Sequence, residues 1–151
     1  MAIARGAGTE IIRTAHFKNT SSADQKLIIG VQHHIYTVLS IVIACNAVNA
    51  VDDKVYVRIK GWDNKAGASA QTIHLIEANM AAGEVFVWND KFSFNGFEPL
   101  GSAMSGTLST VAEQDAIADQ GSDVSQYLFN TATHAGDTYD ITVTYIDQNN
   151  V

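Results

Sequence analysis

The chain is poor in cysteine and proline, and it has no long apolar run. Its 151 residues include one cysteine, Cys45, and one proline, Pro99. A single cysteine excludes a disulfide framework within the chain, and its place in an apolar run predicts a buried thiol in a protein made under reducing conditions. No apolar run approaches the roughly 20 residues of a membrane helix, and the first residues lack the apolar segment of a secretory signal. We therefore expect a soluble protein made in a cytoplasm, with no membrane partner.

Charge is also scarce. Charged residues make up 17% of the sequence and are mostly acidic, which gives a net charge of −7. The nine Lys and Arg residues are scattered along the sequence, whereas proteins that bind nucleic acid cluster them against phosphates. We therefore predict no nucleic-acid partner. Much of the surface must consist of neutral side chains, which tolerate protein contact because few charges have to be desolvated.

The dominant pattern is alternation with a period of two, which predicts β-strands. Segment 33–45 has apolar residues on both faces, which is typical of a strand covered on both sides. Helical spacing is confined to one candidate, Thr110–Asp119. We predict an all-β fold: an antiparallel, jelly-roll-like β-sandwich of about eight strands with at most one short helix. The strand candidates are segments 10–18, 26–30, 33–45, 53–61, 71–78, 84–88, 91–94 and 137–147.

Turn-forming residues separate these strand candidates. We expect a tight turn at Ala81-Ala82-Gly83, a hairpin-type turn at Asn95-Gly96 and a polar loop over residues 61–70. The length of the chain fits one domain. We divide the chain into an N-terminal arm, residues 1–9, and a single β-sandwich domain, residues 10–151.

The sequence contains no recognisable set of catalytic, cofactor-binding or metal-binding residues. The pair His33-His34 looks like a metal-ligand pair, but neighbours in a strand point to opposite faces of the sheet. The pair Asp52-Asp53 fits turn capping. Nothing selects Asp137 and Asp140 from the 16 acidic residues as a glycosidase pair. We therefore predict that the protein is not an enzyme and has no cofactor or metal site.

Two regions are candidates for contact with other proteins. Trp62 and Asp63 stand in the predicted polar loop, where an exposed Trp can anchor a partner or stack on a sugar. The N-terminal arm includes Ile3, Arg5 and Thr9, and such an arm can order on a neighbouring subunit through backbone contacts. Ordinary loop packing and a disordered terminus are the alternative interpretations.

Four segments carry a resemblance to known proteins: GAGTEIIRTAHF, GVQHHIYTVLSIVIACNAVNA, GEVFVWNDKFSFNGFEPL and the terminal TYIDQNN. Over residues 5–150 the chain resembles small virion structural proteins of marine tailed phages, especially those that infect cyanobacteria. The resemblance is weakest over residues 102–134. Residues 83–98 also resemble a module of phage β-sandwich proteins that opens with Gly83-Glu84, although Gly96-Phe97-Glu98 replaces the Gly-Asp turn of that module.

The resemblance implies a virion component and carries over no catalytic residue. Our first hypothesis is a capsid decoration or cement protein that binds the major capsid protein, or other virion proteins, and stabilises the phage head lattice. We expect a homo-oligomer, specifically a trimer, assembled in the host cytoplasm and located in the virion. Two alternatives stay open: a neck, tail or fibre-attachment adaptor, and a carbohydrate-binding module for host attachment that uses Trp62 or Trp88.

Overall fold

Nine antiparallel β-strands account for most of the residues that the computed structural model describes, namely residues 9–63, 68–97, 110–111 and 125–149. The all-β prediction is confirmed. The helix candidate Thr110–Asp119 lies outside the described residues except for its first two positions. The strands are β1 (Glu10–Thr20), β2 (Gln25–Ile29), β3 (His34–Ala47), β4 (Lys54–Asp63), β5 (Ala68–Asn79), β6 (Val85–Trp88), β7 (Phe92–Asn95), β8 (Tyr127–Ala132) and β9 (Thr138–Asn149).

The strands form two sheets. Sheet A has the order β1-β9-β3-β6, with β7 also paired to β3, and sheet B has the order β2-β8-β4-β5. Between consecutive strands the chain stays in one sheet only from β4 to β5 and from β6 to β7, and its first and last strands lie side by side. This connectivity is jelly-roll-like, and the prediction of an antiparallel sandwich is confirmed.

The alternating sequence explains why the two sheets pack against each other. In β4, Val55 and Val57 are completely buried, while Tyr56 and Arg58 lie on the opposite side. Full burial of such a side chain contributes about 1.5–3 kcal/mol. One apolar cluster joins the inner faces of both sheets, with Tyr36, Val38, Ile41, Ile43, Tyr139, Ile141 and Val143 from sheet A and Leu27, Ile28, Val55, Val57, Ile76 and Leu128 from sheet B.

A β-bulge explains the apolar residues on both faces of β3. Tyr36 and Val38 point into the core, and so do Ile41 and Ile43, although the first two have even numbers and the last two odd numbers. The pairing of β3 with β9 shifts between Val38 and Ser40, and an extra residue at a bulge reverses the alternation. The apolar residues on both faces therefore result from a change of register within β3. The prediction of a strand covered on both sides is wrong.

The predicted polar loop over residues 61–70 is wrong at both ends, and its middle, residues 64–67, lies outside the described residues. Strand β4 continues to Asp63 and β5 begins at Ala68, because Gly61 pairs with Gln71 and Asp63 pairs with Ala68. Trp62 therefore belongs to a strand. Small and polar residues can extend a hairpin when backbone pairing is already established by the strands behind it.

The Asn95-Gly96 hairpin turn is also wrong, because Gly96 does not have the positive φ angle that such a turn needs. Gly96 instead allows two segments to cross. A Cβ atom at this position would lie 1.9 Å from the carbonyl oxygen of Val31. The predicted turn at Ala81-Ala82-Gly83 is present, with Gly83 at φ 90° and the Glu84 N–H donating to the Ala81 carbonyl at 3.0 Å.

Candidate functional site

The structure places only part of the predicted contact set. Ile3 and Arg5 lie outside the described residues. Thr9 directly precedes β1, and its carbonyl oxygen accepts a hydrogen bond of 3.0 Å from the Asn149 N–H. Trp62 and Asp63 are the last residues of β4, and their side chains are outside what the structure describes. Of the predicted contact residues, Thr9 is thus tied to its own sheet.

Trp88 and Cys45 both have structural surroundings. Trp88 is half-buried against the core, and its indole N–H donates to the Asp90 carbonyl at 2.5 Å. This bond ties the ring to the turn between β6 and β7. Cys45 is a buried free thiol, as expected, and burial raises its pKa. A protonated thiol inside the sheet is a poor nucleophile.

The acidic residues singled out in the sequence hold loops together. Asp53 accepts a hydrogen bond from the Ala50 N–H at 2.9 Å, which confirms its turn-capping role. Asp137 is completely buried and accepts from the N–H groups of Asn49 and His134 at 2.8 and 3.0 Å. The backbone N–H of Asn19, at 2.9 Å, is the main cause of the lowered pKa of Asp140.

A buried carboxylate, Asp147, joins three segments at the end of the sandwich where β1 begins. Its two oxygens lie 3.1 Å from Arg13 Nε and 2.6 Å from His34 Nδ1. The Tyr36 ring packs beside His34 with a centroid distance of 6.1 Å, and the Tyr36 hydroxyl accepts from the Val31 N–H at 3.1 Å. Sequence analysis missed this cluster, because its members are far apart in the chain and come together only through the pairing of β1, β9 and β3.

The His33-His34 pair is split between a turn and a strand. His33 has a φ of 66° and closes the turn before β3, whereas His34 begins β3 and contacts Asp147. Within the described ranges, no three His, Cys, Asp or Glu side chains are grouped so that they could hold a metal ion. In the same ranges no helix has the length and apolarity needed to span a membrane.

The most unusual surface is the edge strand β6. Its side chains Val85, Phe86 and Val87 are 60%, 37% and 51% exposed. On one side β6 pairs with β3, and no strand among the described residues pairs with its other side. Edge strands are ordinarily protected by short length, charge, proline or a bulge; β6 is short, with four residues, but it includes no charge and no proline.

The hydrogen-bond pattern shows which backbone groups of β6 face outward. The Cys45 N–H donates to the Glu84 carbonyl at 2.9 Å, and the Cys45 carbonyl accepts from the Gly83 N–H at 2.8 Å, so the Glu84 C=O group points toward β3. Bonding alternates along an antiparallel ladder, and Phe86 and Trp88 are therefore the next residues bonded to β3. The N–H and C=O groups of Val85 and Val87 point to the free edge, beside two exposed valine side chains. This edge can accept another extended strand.

Comparisons with known proteins give distant structural likenesses. No family model and no curated protein matches the chain. A chain from the disulfide-linked pili of Bacillus endospore appendages has a TM-score of 0.42 and 10% identity, covering 100% of this chain and 97% of that chain. A chain from the infectious bursal disease virus Gx strain has a TM-score of 0.40 and 10% identity, over 93% of this chain. A chain from the T13 particle of that virus has a TM-score of 0.39 and 10% identity, over 99% of this chain. This chain spans only 32% and 37% of the two virus chains, and the likenesses are too distant to assign a function.

Proposed function

We propose that the protein is a structural component of a phage virion, and specifically a decoration or cement protein that binds the head lattice and stabilises it. The observation that carries this proposal is the edge of β6, which combines exposed valines with backbone groups directed toward a partner strand. A protein that acts alone has reason to protect such an edge, whereas an assembly subunit uses it.

The architecture is in keeping with this role. Jelly rolls occur in viral capsid domains and in lectins, although a fold by itself does not determine a function. The acidic residues Asp53, Asp137 and Asp147 serve as internal hydrogen-bond acceptors. The resemblance of residues 5–150 to phage virion proteins supplies the specific assignment to a virion.

The proposed partner is the major capsid protein, and the proposed contact surface is the β6 edge. Ile3 and Arg5 of the arm, with Trp62 and Asp63 at the end of β4, are further proposed contacts. Many copies on one particle would act together, so each contact can be weak and the assembly still stable. A trimer at a local threefold axis of the lattice would satisfy the symmetry.

A charge placed on the β6 edge tests the proposal. Val87→Lys introduces an ammonium group on the outer face of sheet A beside the free edge, where side chains of an added strand would pack, and desolvation of that charge opposes docking. We expect phage carrying this variant to lose the protein from purified particles, measured as copies per virion by quantitative mass spectrometry. Ile73→Lys on β5 is the matched control, because Ile73 is 57% exposed in the other sheet.

Incorporation of the Val87→Lys protein at the parental level would contradict the proposed contact. Copy number separates the proposed position from a neck or tail position on symmetry grounds. On the order of hundreds of copies indicates the head lattice, while roughly six to a few tens indicates the neck or tail. The second result would replace the decoration role with that of an adaptor.

A further inference from the structure

The outer face of sheet B concentrates positive charge in an acidic protein. In β4 and β8, Val55, Val57 and Leu128 are buried in the core, so the residues that alternate with them point to the opposite, outer side of the sheet. Lys26 of β2 pairs with Phe129 of β8 and lies on the same outer side. Four of the nine Lys and Arg residues of the chain lie here together with aromatic rings. We call this surface the basic face, which consists of Lys26, Lys54, Tyr56, Arg58, Lys60 and Tyr127 over the buried ring of Phe129.

Aromatic rings hold two of these cations in place. The Arg58 guanidinium carbon lies 4.5 Å from the centre of the Tyr56 ring, and Lys26 Nζ lies 4.6 Å from the centre of the Tyr127 ring. Tyr127 packs in turn against Phe129, with a centroid distance of 5.5 Å. Cations stacked in this way lose little freedom when a partner binds, which lowers the entropic cost of a contact.

Among the described residues, one carboxylate borders the basic face, that of Glu77, and it is engaged. Glu77 lies 2.6 Å from Lys54 Nζ and 3.4 Å from His74 Nδ1. Arg58 Nε is buried and has no hydrogen-bond partner among the residues that the structure describes. Because this Nε is buried, a carboxylate of another surface would have to bind the terminal nitrogens of the guanidinium, which lies over the Tyr56 ring.

The complementary surface lies at one end of the same molecule. The strand registers place four loops together, residues 21–24, 48–53, 80–84 and 133–137. These loops carry five acidic residues and no Lys or Arg. We call this surface the acidic loop end, and its exposed acids are Asp24, Asp52 and Glu84.

The acidic loop end also has an apolar hollow. A cavity of about 260 Å³ opens there, with Val48, Val51 and Met80 in its lining. Val51 is 83% exposed. The acidic residues Asp52 and Glu84 follow the lining residues Val51 and Ala81 closely in the chain, so a partner that fills the hollow would also meet negative charge.

We propose that the basic face of one copy docks on the acidic loop end of a second copy. Both complementary surfaces belong to this chain, and a second copy therefore supplies the required partner without a further component. Because the two surfaces differ, the contact is head-to-tail, and it closes into a ring or continues as a filament. Nucleic acid is a less suitable occupant, because a net charge of −7 repels a polyanion outside the immediate contact. The inference does not depend on the virion role.

Two complementary variants test the contact. Arg58→Glu damages the basic face and leaves the loop end intact, and Asp52→Lys with Glu84→Lys does the reverse. We expect the parent protein to self-associate in low-salt buffer and to dissociate at about 1 M salt, where the screening length is about 3 Å. Each variant alone should associate about tenfold more weakly or not at all. Mixed together, the two variants should form a 1:1 dimer and nothing larger, as measured by light-scattering mass.

Controls separate this contact from loss of folding. Lys91→Glu makes the same charge change in the exposed turn between β6 and β7, and it should associate like the parent. Lys26→Glu is a second basic-face variant that removes a different cation, and circular dichroism establishes that each variant is folded. A parent protein that stays monomeric at low salt would overturn the proposal, as would variants that associate normally. Binding of a single-stranded oligonucleotide to monomeric parent, lost in Lys26→Glu, would overturn it in favour of nucleic acid.

Discussion

The two sheets share one core but have different outer faces. On sheet A, hydroxyl groups contact polar side chains across strands, with Thr37 Oγ1 2.9 Å from Ser93 Oγ and Thr142 Oγ1 3.0 Å from His16 Nδ1. On sheet B, Lys26 and Arg58 lie over aromatic rings. The average composition of the chain describes neither face. The contact surface that we propose on sheet A is therefore an edge, formed by the backbone of β6, whereas the one that we propose on sheet B is a face, formed by charged side chains.

Truncation of side chains that are buried between the sheets should have the largest effects on the free energy of unfolding. If the two sheets contribute equally to the core, the losses on the two sides should be similar. Ile41 in sheet A and Leu128 in sheet B are both completely buried. We expect Ile41→Ala and Leu128→Ala each to lower the free energy of unfolding by about 2–5 kcal/mol, because each leaves a cavity. Urea unfolding measures the loss. Ile12→Ala, at a side chain that is 70% exposed, should change it by less than about 0.5 kcal/mol; a similar loss there would mean that the outer face of sheet A is not free.

The crossing of the two sheets at Gly96 should be nearly as sensitive. Gly96→Ala places a Cβ atom 1.9 Å from the Val31 carbonyl oxygen. The segment that follows β7 and the turn that follows β2 would therefore have to move apart. We expect a loss of about 3 kcal/mol in thermal or urea unfolding. At Gly136 the nearest atom is the end of the His134 side chain, 3.2 Å away, which can rotate. Gly136→Ala should therefore cost less, and equal costs would show that the crossing is not tight.

The Asp147 cluster belongs to sheet A alone, and its loss should have an intermediate effect. Asp147→Asn keeps the shape of the side chain but removes the charge that Arg13 and His34 share. We expect a loss of about 2 kcal/mol in the free energy of unfolding at pH 7, because hydrogen bonds to a charged group are lost in a buried site. Asp90→Asn, in the exposed turn after β6, is the control. No loss in Asp147→Asn would mean that the cluster does not stabilise the sheet.

A small effect at neutral pH is expected for Tyr139→Phe. Burial raises the pKa of Tyr139 to about 12, and its hydroxyl has no hydrogen-bond partner among the described residues. Removal of that hydroxyl should change stability by less than about 1 kcal/mol. The pKa of Tyr139 in the folded state lies above the ordinary value of 10.0. The contribution of this group to the free energy of unfolding is therefore fully present below pH 10 and is lost as the pH rises from about 10 to 12. Unfolding measured over this range should be less steep for Tyr139→Phe than for the parent; an identical slope would contradict burial of the ionising group.

Strands with regular alternation could be predicted from sequence, and those with interruptions could not. β4 and β9 alternate cleanly and were identified within a few residues. β8 was missed because five of its six residues are buried, from Leu128 to Ala132, so no alternation marks it. The bulge at Val38 likewise changes the pattern of β3 only through its pairing with β9. Pairing between distant segments is the information that periodicity lacks.

The surfaces were harder to predict than the strands, for the same reason. Lys26, Arg58 and Tyr127 are far apart in the sequence, where the cations are scattered. They become neighbours because β8 lies between β2 and β4 in sheet B. The free edge of β6 likewise follows from the strand order and not from the four residues themselves. Both candidate contact surfaces of this chain thus depend on the order of the strands in the sheets.

A density map of the assembled virion tests the central claim most directly. The account predicts this sandwich on the head lattice, repeated on the order of hundreds of times, with the β6 edge against a coat subunit. Density confined to the neck or baseplate, or a particle that lacks the chain altogether, would contradict it.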